Sequence, residues 1–358
     1  MSFHEILIAV MAGFAVLGAL DRIFGNRWGL GKEFEEGILA MGSLALAMIG
    51  IVCLAPVLAG LLKPVVVPVY AFLGADPAMF AGTLLACDMG GGALAMELTD
   101  NTQAAMLGGV LTGSMLGATI VFTLPVAMGI LKESDRAAMA KGILCGIITI
   151  PLGIFVGGLV AGFPLGMVAR NCIPIVLIAV LIALGLWRAE NAMVRGFALF
   201  GKFVVIVITV GLAAAIVEAL TGYVIFPGMA PISDGFETVG VIAILLAGAF
   251  PLVFVLTKLL RRPLMAAGKK LGINDAAAAG LIASLANSIA TFGMVKDMNE
   301  RGKVVNIAFA VSAAFVFGDH LGFTAGFAPE MIGPMIAGKL VGGISAVGVA
   351  LWLTRKDS

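Results

Sequence analysis

Eleven apolar segments follow one another along the chain with only short connections, at roughly 4–24, 36–62, 78–98, 103–130, 137–161, 171–188, 192–221, 238–260, 275–297, 302–325 and 330–354. Each is bounded by charges, Pro or Gly, and about 20 apolar residues are enough for a helix to cross a bilayer. The succession predicts an all-α polytopic membrane protein with no separate soluble domain. Composition agrees: 12% of residues are charged and 61% apolar, against about 25% and 45–50% in soluble domains. A mean hydropathy of +1.12 excludes a soluble enzyme, a disordered chain and a fibrous repeat. The net charge of +1 leaves no basic or acidic field, so nucleic acid is not an expected partner. Cys53, Cys87, Cys145 and Cys172 have no paired spacing and read as small buried apolar residues, not as a disulfide or zinc set. Residues 4–24 lack a basic leader and a cleavage site, which predicts a retained first span. Trp28, Trp187 and Trp352 fall near segment ends, where interfacial aromatics belong.

Sliding the two halves past each other reveals an internal repeat. Leu73-Gly74-Ala75-Asp76-Pro77-Ala78 matches Leu271-Gly272-Ile273-Asn274-Asp275-Ala276 at an offset of 198, and Ala81-Gly82 matches Ala279-Gly280. Phe34-Glu35 is echoed by Phe236-Glu237, Lys63-Pro64 by Arg262-Pro263, and Gly117 by Gly318. The predicted organisation is one membrane domain: repeat one over about 4–161, a connector helix at 171–188, and repeat two over about 192–354. Charge decides the relative orientation. If all eleven segments span, the better side holds only 13 of the 22 basic residues. If segments 78–98 and 275–297 re-enter as hairpins, one side holds 19 and the other only Lys63, Arg170 and Lys339. Cytoplasmic loops carry the Lys/Arg excess, so the second arrangement is preferred: inverted repeats, about nine transmembrane spans and two re-entrant hairpins. Inverted repeats with broken helices are a common plan of secondary transporters, with substrate bound near the midplane.

Ionisable groups within spans cost about 2.5–3.5 kcal/mol on insertion scales and need a reason. Asp88 lies mid-segment in Ala86-Cys87-Asp88-Met89-Gly90-Gly91, at the expected tip of the first hairpin. It reads as a counter-charge for a cation or proton, or as a cap on a half-helix. Asp319 and His320, in Gly318-Asp319-His320-Leu321-Gly322, read as an ammonium site or proton relay, or as a buried pair holding a helix break. Asn287 and Ser288, at the second tip, are candidates for a substrate hydroxyl or for turn satisfaction. Ser114 and Thr119 line the site or bond back to their own helix. Gly109, Gly113 and Gly117 form a small-residue ladder for close helix packing. Gly29-Leu30-Gly31-Lys32 is not a phosphate loop, because Glu33 stands where a Ser or Thr is needed. No paired histidines sit at metal-ligand spacing, so neither a metal site nor another cofactor is expected.

The same residues resemble the ethanolamine-utilisation permeases of bacteria, the EutH type, over nearly the whole chain. The resemblance is carried by Phe34-Glu35-Glu36-Gly37, Leu44-Ala45-Leu46-Ala47-Met48 and Leu54-Ala55-Pro56-Val57-Leu58, and above all by Phe80-Ala81-Gly82-Thr83-Leu84-Leu85-Ala86-Cys87-Asp88-Met89-Gly90-Gly91. Pro125-Val126-Ala127, Arg301-Gly302-Lys303-Val304, Ala310-Val311-Ser312-Ala313-Ala314-Phe315 and Gly318-Asp319-His320-Leu321-Gly322-Phe323 continue it. Where enteric members read Asn-Asn-Ile-Pro, this chain reads Asn287-Ser288-Ile289-Ala290, and its loops near 163–170 and 226–236 are shorter. The resemblance implies a multi-pass bacterial inner-membrane protein, not an enzyme, that admits ethanolamine by facilitated diffusion or proton-linked uptake with alternating access. Asp88 and Asp319 would then serve the ammonium, and Asn287, Ser288 or His320 the hydroxyl. Membrane lipid and other copies of the chain, as a homo-oligomer such as a dimer, are the expected partners. A transporter of another small amine or polar nutrient is the nearest alternative, and a membrane-embedded enzyme using Asp319 and His320 a more distant one.

Overall fold

In a computed structural model that describes residues 3–356, the chain is helical throughout, and no strand occurs among the described residues. Eight helices are long and apolar enough to cross a membrane. They are α1 (Phe3–Ile23), α2 (Leu30–Phe72), α5 (Thr102–Ile130), α6 (Arg136–Val160), α7 (Leu165–Ala189), α8 (Asn191–Thr221), α9 (Ile232–Leu271) and α14 (Ile332–Leu353). Between them lie shorter pieces: α3 (Ala78–Leu84) and α4 (Gly91–Leu98), α10 (Asp275–Ala286) and α11 (Ser288–Met294), α12 (Glu300–Ala313) and α13 (Asp319–Phe327). The segment at 302–325, expected as a ninth span, is therefore two helices. The chain leaves α12 at Ala314 (ψ 144°), passes Phe315 in the left-handed region (φ 64°) and restarts after Gly318. The amides freed by this break are not orphaned, since Phe315 N–H and Phe317 N–H donate to the Ser284 and Leu285 carbonyls ending α10.

The turn from α1 to α2 is closed by Asp21, whose buried carboxylate accepts from Trp28 N–H and Gly31 N–H. One continuous helical run from Leu165 to Thr221 is divided into α7 and α8 by Ala189, whose backbone is non-helical (φ −146°, ψ 48°). Around the bundle the helices meet in matched fashion. A Cβ on Gly50 of α2 would stand 1.9 Å from the Ile208 carbonyl oxygen of α8, and one on Gly248 of α9 would stand 2.2 Å from that of Met11 in α1. Only glycine admits backbones at that distance.

The two short pairs close at their mouths in the same way. Asp76 caps α3 through Ala78 N–H and accepts from the Thr99 hydroxyl just past α4. Asn274 caps α10 through Ala277 N–H and donates to the Asp297 carbonyl, while Asn299 donates to the Gly272 carbonyl. The start and finish of each pair thus lie side by side.

Helix α5 is the most enclosed of the eight, with 83% of its most apolar stretch buried. From Met106 to Gly117 and again from Thr119 to Thr123 it widens into a π-helix, a form usually confined to single turns near functional sites. Its glycines take the α3–α4 pair directly on the backbone: Gly109 faces Gly92 and Ala95, Gly113 faces Cys87, and Gly117 faces Leu85. The outer helices α7 and α8 present Val176, Leu181, Phe203 and Ile206 to the surroundings, the apolar exterior that lipid contact requires.

Candidate functional site

Two helix breaks face each other in the interior. Asp88 sits in the tight turn Cys87–Met89 between α3 and α4, its side chain 16% exposed. Asp319 opens α13, and His320 follows it, buried. With Ala86, Met89, Ala118, Phe122 and Phe315 these residues line a cavity of about 40 Å³. A single water needs about 10–15 Å³ by this measure, so there is room for about three waters or a ligand of about four non-hydrogen atoms. Larger hollows lie elsewhere, such as one of about 240 Å³ between α2, α3 and α8, but its lining is wholly apolar.

The chemistry of the small cavity is that of a cation site. The nearer Asp88 oxygen lies 3.9 Å from His320 Nε2, too far for a direct hydrogen bond and close enough for a small polar group to bridge. His320 Nδ1 is buried without a partner. Asp319 is the first residue of α13, where the partial positive charge of the helix end helps hold a carboxylate. The Phe122 and Phe315 rings meet edge to face at 5.4 Å, and Phe315 lies 5.2 Å from the His320 ring. Aromatic faces beside carboxylates suit an ammonium group. The Cys87 sulfur, an Asp88 oxygen and a His320 nitrogen also lie within 4.8 Å of one another, a spacing a metal ion can bridge. Lys339, bonded to the Ser114 carbonyl one residue from where Cys87 packs, would oppose a divalent cation there when protonated.

Of the seven residues singled out in the sequence, Asp88, Asp319 and His320 line the cavity; the other four do not. The Ser114 hydroxyl donates to the Leu111 carbonyl. The Thr119 hydroxyl lies 2.7 Å from the Met115 carbonyl and 2.9 Å from that of Val311. Asn287 accepts from Ile289 N–H at the start of α11, and Ser288 Oγ is buried with no partner. The second break still touches the site indirectly, because Gly318 packs on the Ala286 carbonyl, where a Cβ would stand at 2.2 Å. Three residues escaped sequence reasoning. Phe122 and Phe315 carry no signal beyond being apolar. Lys339 did carry one: an ammonium inside an apolar segment, which the charge count assigned to the outer face. It is 1% exposed, mid-helix in α14, and donates to the Ser114 carbonyl.

Comparison with known proteins adds the family. The family model described as ethanolamine utilisation protein, EutH, matches residues 3–353. The chain belongs to the EutH family. Among EutH relatives, a probable ethanolamine permease EutH of Listeria monocytogenes is 60% identical, covering 99% of this chain and 95% of that protein. The probable ethanolamine permease EutH of Salmonella typhimurium is 48% identical, covering all of this chain and 97% of its own length. An uncharacterized Bacillus subtilis protein, YxeR, is 50% identical over the full chain. No solved structure matches this EutH chain.

Proposed function

We propose that the protein carries ethanolamine across the bacterial inner membrane into the cytoplasm, binding it at the Asp88–Asp319–His320 cavity. The observation that carries this reading is the pair of carboxylates beside aromatic rings in a cavity sized for about four non-hydrogen atoms. Ethanolamine has four, one of them an ammonium nitrogen and one a hydroxyl oxygen. In this reading Asp88 and Asp319 hold the ammonium, Phe122 and Phe315 present ring faces to it, and His320 meets the hydroxyl. The names of the relatives favour ethanolamine over other short primary amines, for which the same groups would serve. They also favour transport over an enzymatic reaction. Uptake of labelled ethanolamine into vesicles loaded with the purified protein, with and without a pH gradient, tests the activity. No uptake above empty vesicles would reject it.

The transport cycle we propose is alternating access between inverted repeats. The matched contacts of Gly50 with Ile208 and of Gly248 with Met11, offset by 198 and 197 residues, support two equivalent halves. The mouths closed by Asp76–Thr99 and by Asn274–Asp297 support re-entrant hairpins. The count is then eight continuous spans, the broken α12–α13 as a ninth, and two hairpins. With Lys339 buried, the sparse side retains only Lys63 and Arg170, against 19 basic residues opposite, which strengthens the cytoplasmic assignment. Tags inserted after Gly74 and after Asp100 should therefore report one side of the membrane, and tags beside Gly272 and Asn299 the other. Opposite sides for Gly74 and Asp100 would remove the hairpin and the inversion with it.

Energy coupling is open to a direct test at His320. If it relays protons, His320→Gln should abolish gradient-driven accumulation and leave exchange down a concentration gradient intact. If it only binds the hydroxyl, both activities should fall together. We favour facilitated diffusion, with His320 neutral throughout, so the expected result is parallel loss of about tenfold, the scale of one hydrogen bond to substrate.

A further inference from the structure

The interior around the two breaks holds a small, countable set of charges. Of the other buried acids, Asp21 is engaged by the backbone amides that start α2, and Asp135 is paired with Lys303 at 2.8 Å. What remains near the cavity, among the described residues, is Asp88, Asp319, His320 and Lys339. Lys339 is an unusual occupant. Its ammonium donates to the Ser114 carbonyl in the π-helical part of α5, one residue from Gly113, on which the Cys87 backbone packs. Cys87 immediately precedes Asp88, so the stretch of α5 that holds the ammonium also carries the turn of Asp88. Among the described residues no carboxylate forms an ion pair with it, and the buried ion contacts other than those of Lys303 involve only Asp88 and His320. Burying an ammonium this way costs several kcal/mol, and a methionine would fill the same space without that cost. Packing therefore does not account for a lysine here.

We propose that Lys339 sets the charge the site accepts: together with Asp88 and Asp319 it leaves one net negative charge, which admits a singly charged ammonium and rejects a doubly charged diamine of the same length. This rests on the cation-binding reading above and deepens it. A monocation brings the enclosed group of charges to neutrality, whereas a dication leaves an uncompensated positive charge in a low-dielectric interior. Discrimination then comes from a repulsive element built into the protein and not from shape. Lys339 acts through the field and does not line the cavity, so it is a positioning and selectivity residue.

The test compares binding of ethanolamine and of 1,2-diaminoethane to the purified full-length protein, both at neutral pH, where a large share of the diamine carries two charges. Wild type should prefer ethanolamine. Lys339→Met keeps length and apolar packing while removing the charge, and should shift the affinity ratio about tenfold or more toward the diamine. The double variant Lys339→Met with Asp319→Asn restores one net negative charge, so its ratio should return toward ethanolamine. It also serves if the single variant does not purify as one species. A merely structural lysine would weaken both ligands alike and leave the ratio unchanged. A wild type that binds ethanolamine, with a wild-type ratio in Lys339→Met or a diamine preference persisting in the double variant, would overturn the charge-setting role alone. A wild type that binds neither amine would overturn the ethanolamine reading and this inference together.

Discussion

Asp88→Asn is expected to weaken ethanolamine binding by about 30-fold or more, corresponding to about 2 kcal/mol. The substitution keeps volume and hydrogen-bonding capacity and removes only the charge. An ammonium taken from water into an enclosed site loses solvation worth several kcal/mol, and a carboxylate in the turn between α3 and α4 offsets that loss. The rival role, a carboxylate capping the following half-helix, predicts damage to folding instead. The structure weakens that rival, because the residue preceding α4 is Gly90 and no side chain caps that helix. The variant should therefore reach the membrane and purify as a single species with wild-type thermal stability, yet bind poorly by calorimetry. Unchanged affinity in a well-folded variant would remove the counter-charge role from Asp88 and transfer it to Asp319.

The two acids are not equivalent in their surroundings. Asp88 faces His320 across 3.9 Å, whereas Asp319 starts a helix whose preceding backbone, Ala314 to Gly318, runs through hydrogen-bonded turns. Phe315 holds the left-handed conformation that an aromatic side chain rarely adopts (φ 64°). Strain of about 1–3 kcal/mol at such a residue persists only where the surroundings over-determine it, and it clusters at binding sites and switches. Here the constraint is visible: the amides of Phe315 and Phe317 hold the last carbonyls of α10. The α10–α11 pair and the cavity are thus joined through one irregular stretch of backbone. A movement of α10–α11 would carry Phe315 with it, which is the kind of linkage an alternating-access cycle requires.

Much of this was legible in the chain because membrane insertion writes in large letters. Apolar length predicted nine spans, of which eight are continuous helices of that length, and Gly90–Gly92 and Asn287 marked the two breaks within 78–98 and 275–297. An acid in the middle of an apolar segment has few innocent explanations, so Asp88 and the Asp319–His320 pair stood out. The rest failed for identifiable reasons. The interruption at Ala314–Gly318 depends on amides finding carbonyls 31 and 32 residues away on α10, and a local pattern does not contain that. The π-helical winding of α5 lies where its glycines pack on the α3–α4 pair, and no local pattern marks it. Ser114 and Thr119 looked like site residues because hydroxyls within a span are conspicuous, yet a neighbouring carbonyl satisfies each. Lys339 was misplaced by a counting rule that treats every basic residue as a loop residue. Its neighbours Ile336-Ala337-Gly338 and Leu340-Val341 should have shown that it lies inside the helix.

Gly117→Ala should be among the most damaging single-methyl changes near the site. The added carbon would stand 1.9 Å from the Leu85 carbonyl oxygen, 2.5 Å from its carbon and 2.7 Å from the Gly82 carbonyl oxygen. All three are backbone atoms, so no side chain can rotate away, and α3 and α5 must separate by more than 1 Å to reach ordinary contact distance (about 3.3 Å for carbon against oxygen). Overpacking of this kind costs about 1–3 kcal/mol and occasionally more; a clash with backbone on α3 from a buried central helix belongs at the upper end. Leu85 leads straight into Ala86-Cys87-Asp88, so the separation also displaces Asp88 from Asp319 and His320. Lower thermal stability and loss of ethanolamine uptake are both expected. Gly129→Ala supplies the control in the same helix, since nothing lies within 4 Å of the carbon it would add; it should keep wild-type stability and uptake. If Gly117→Ala matched Gly129→Ala in both measurements, the close seating of the first hairpin on α5, and the position it gives Asp88, would be wrong.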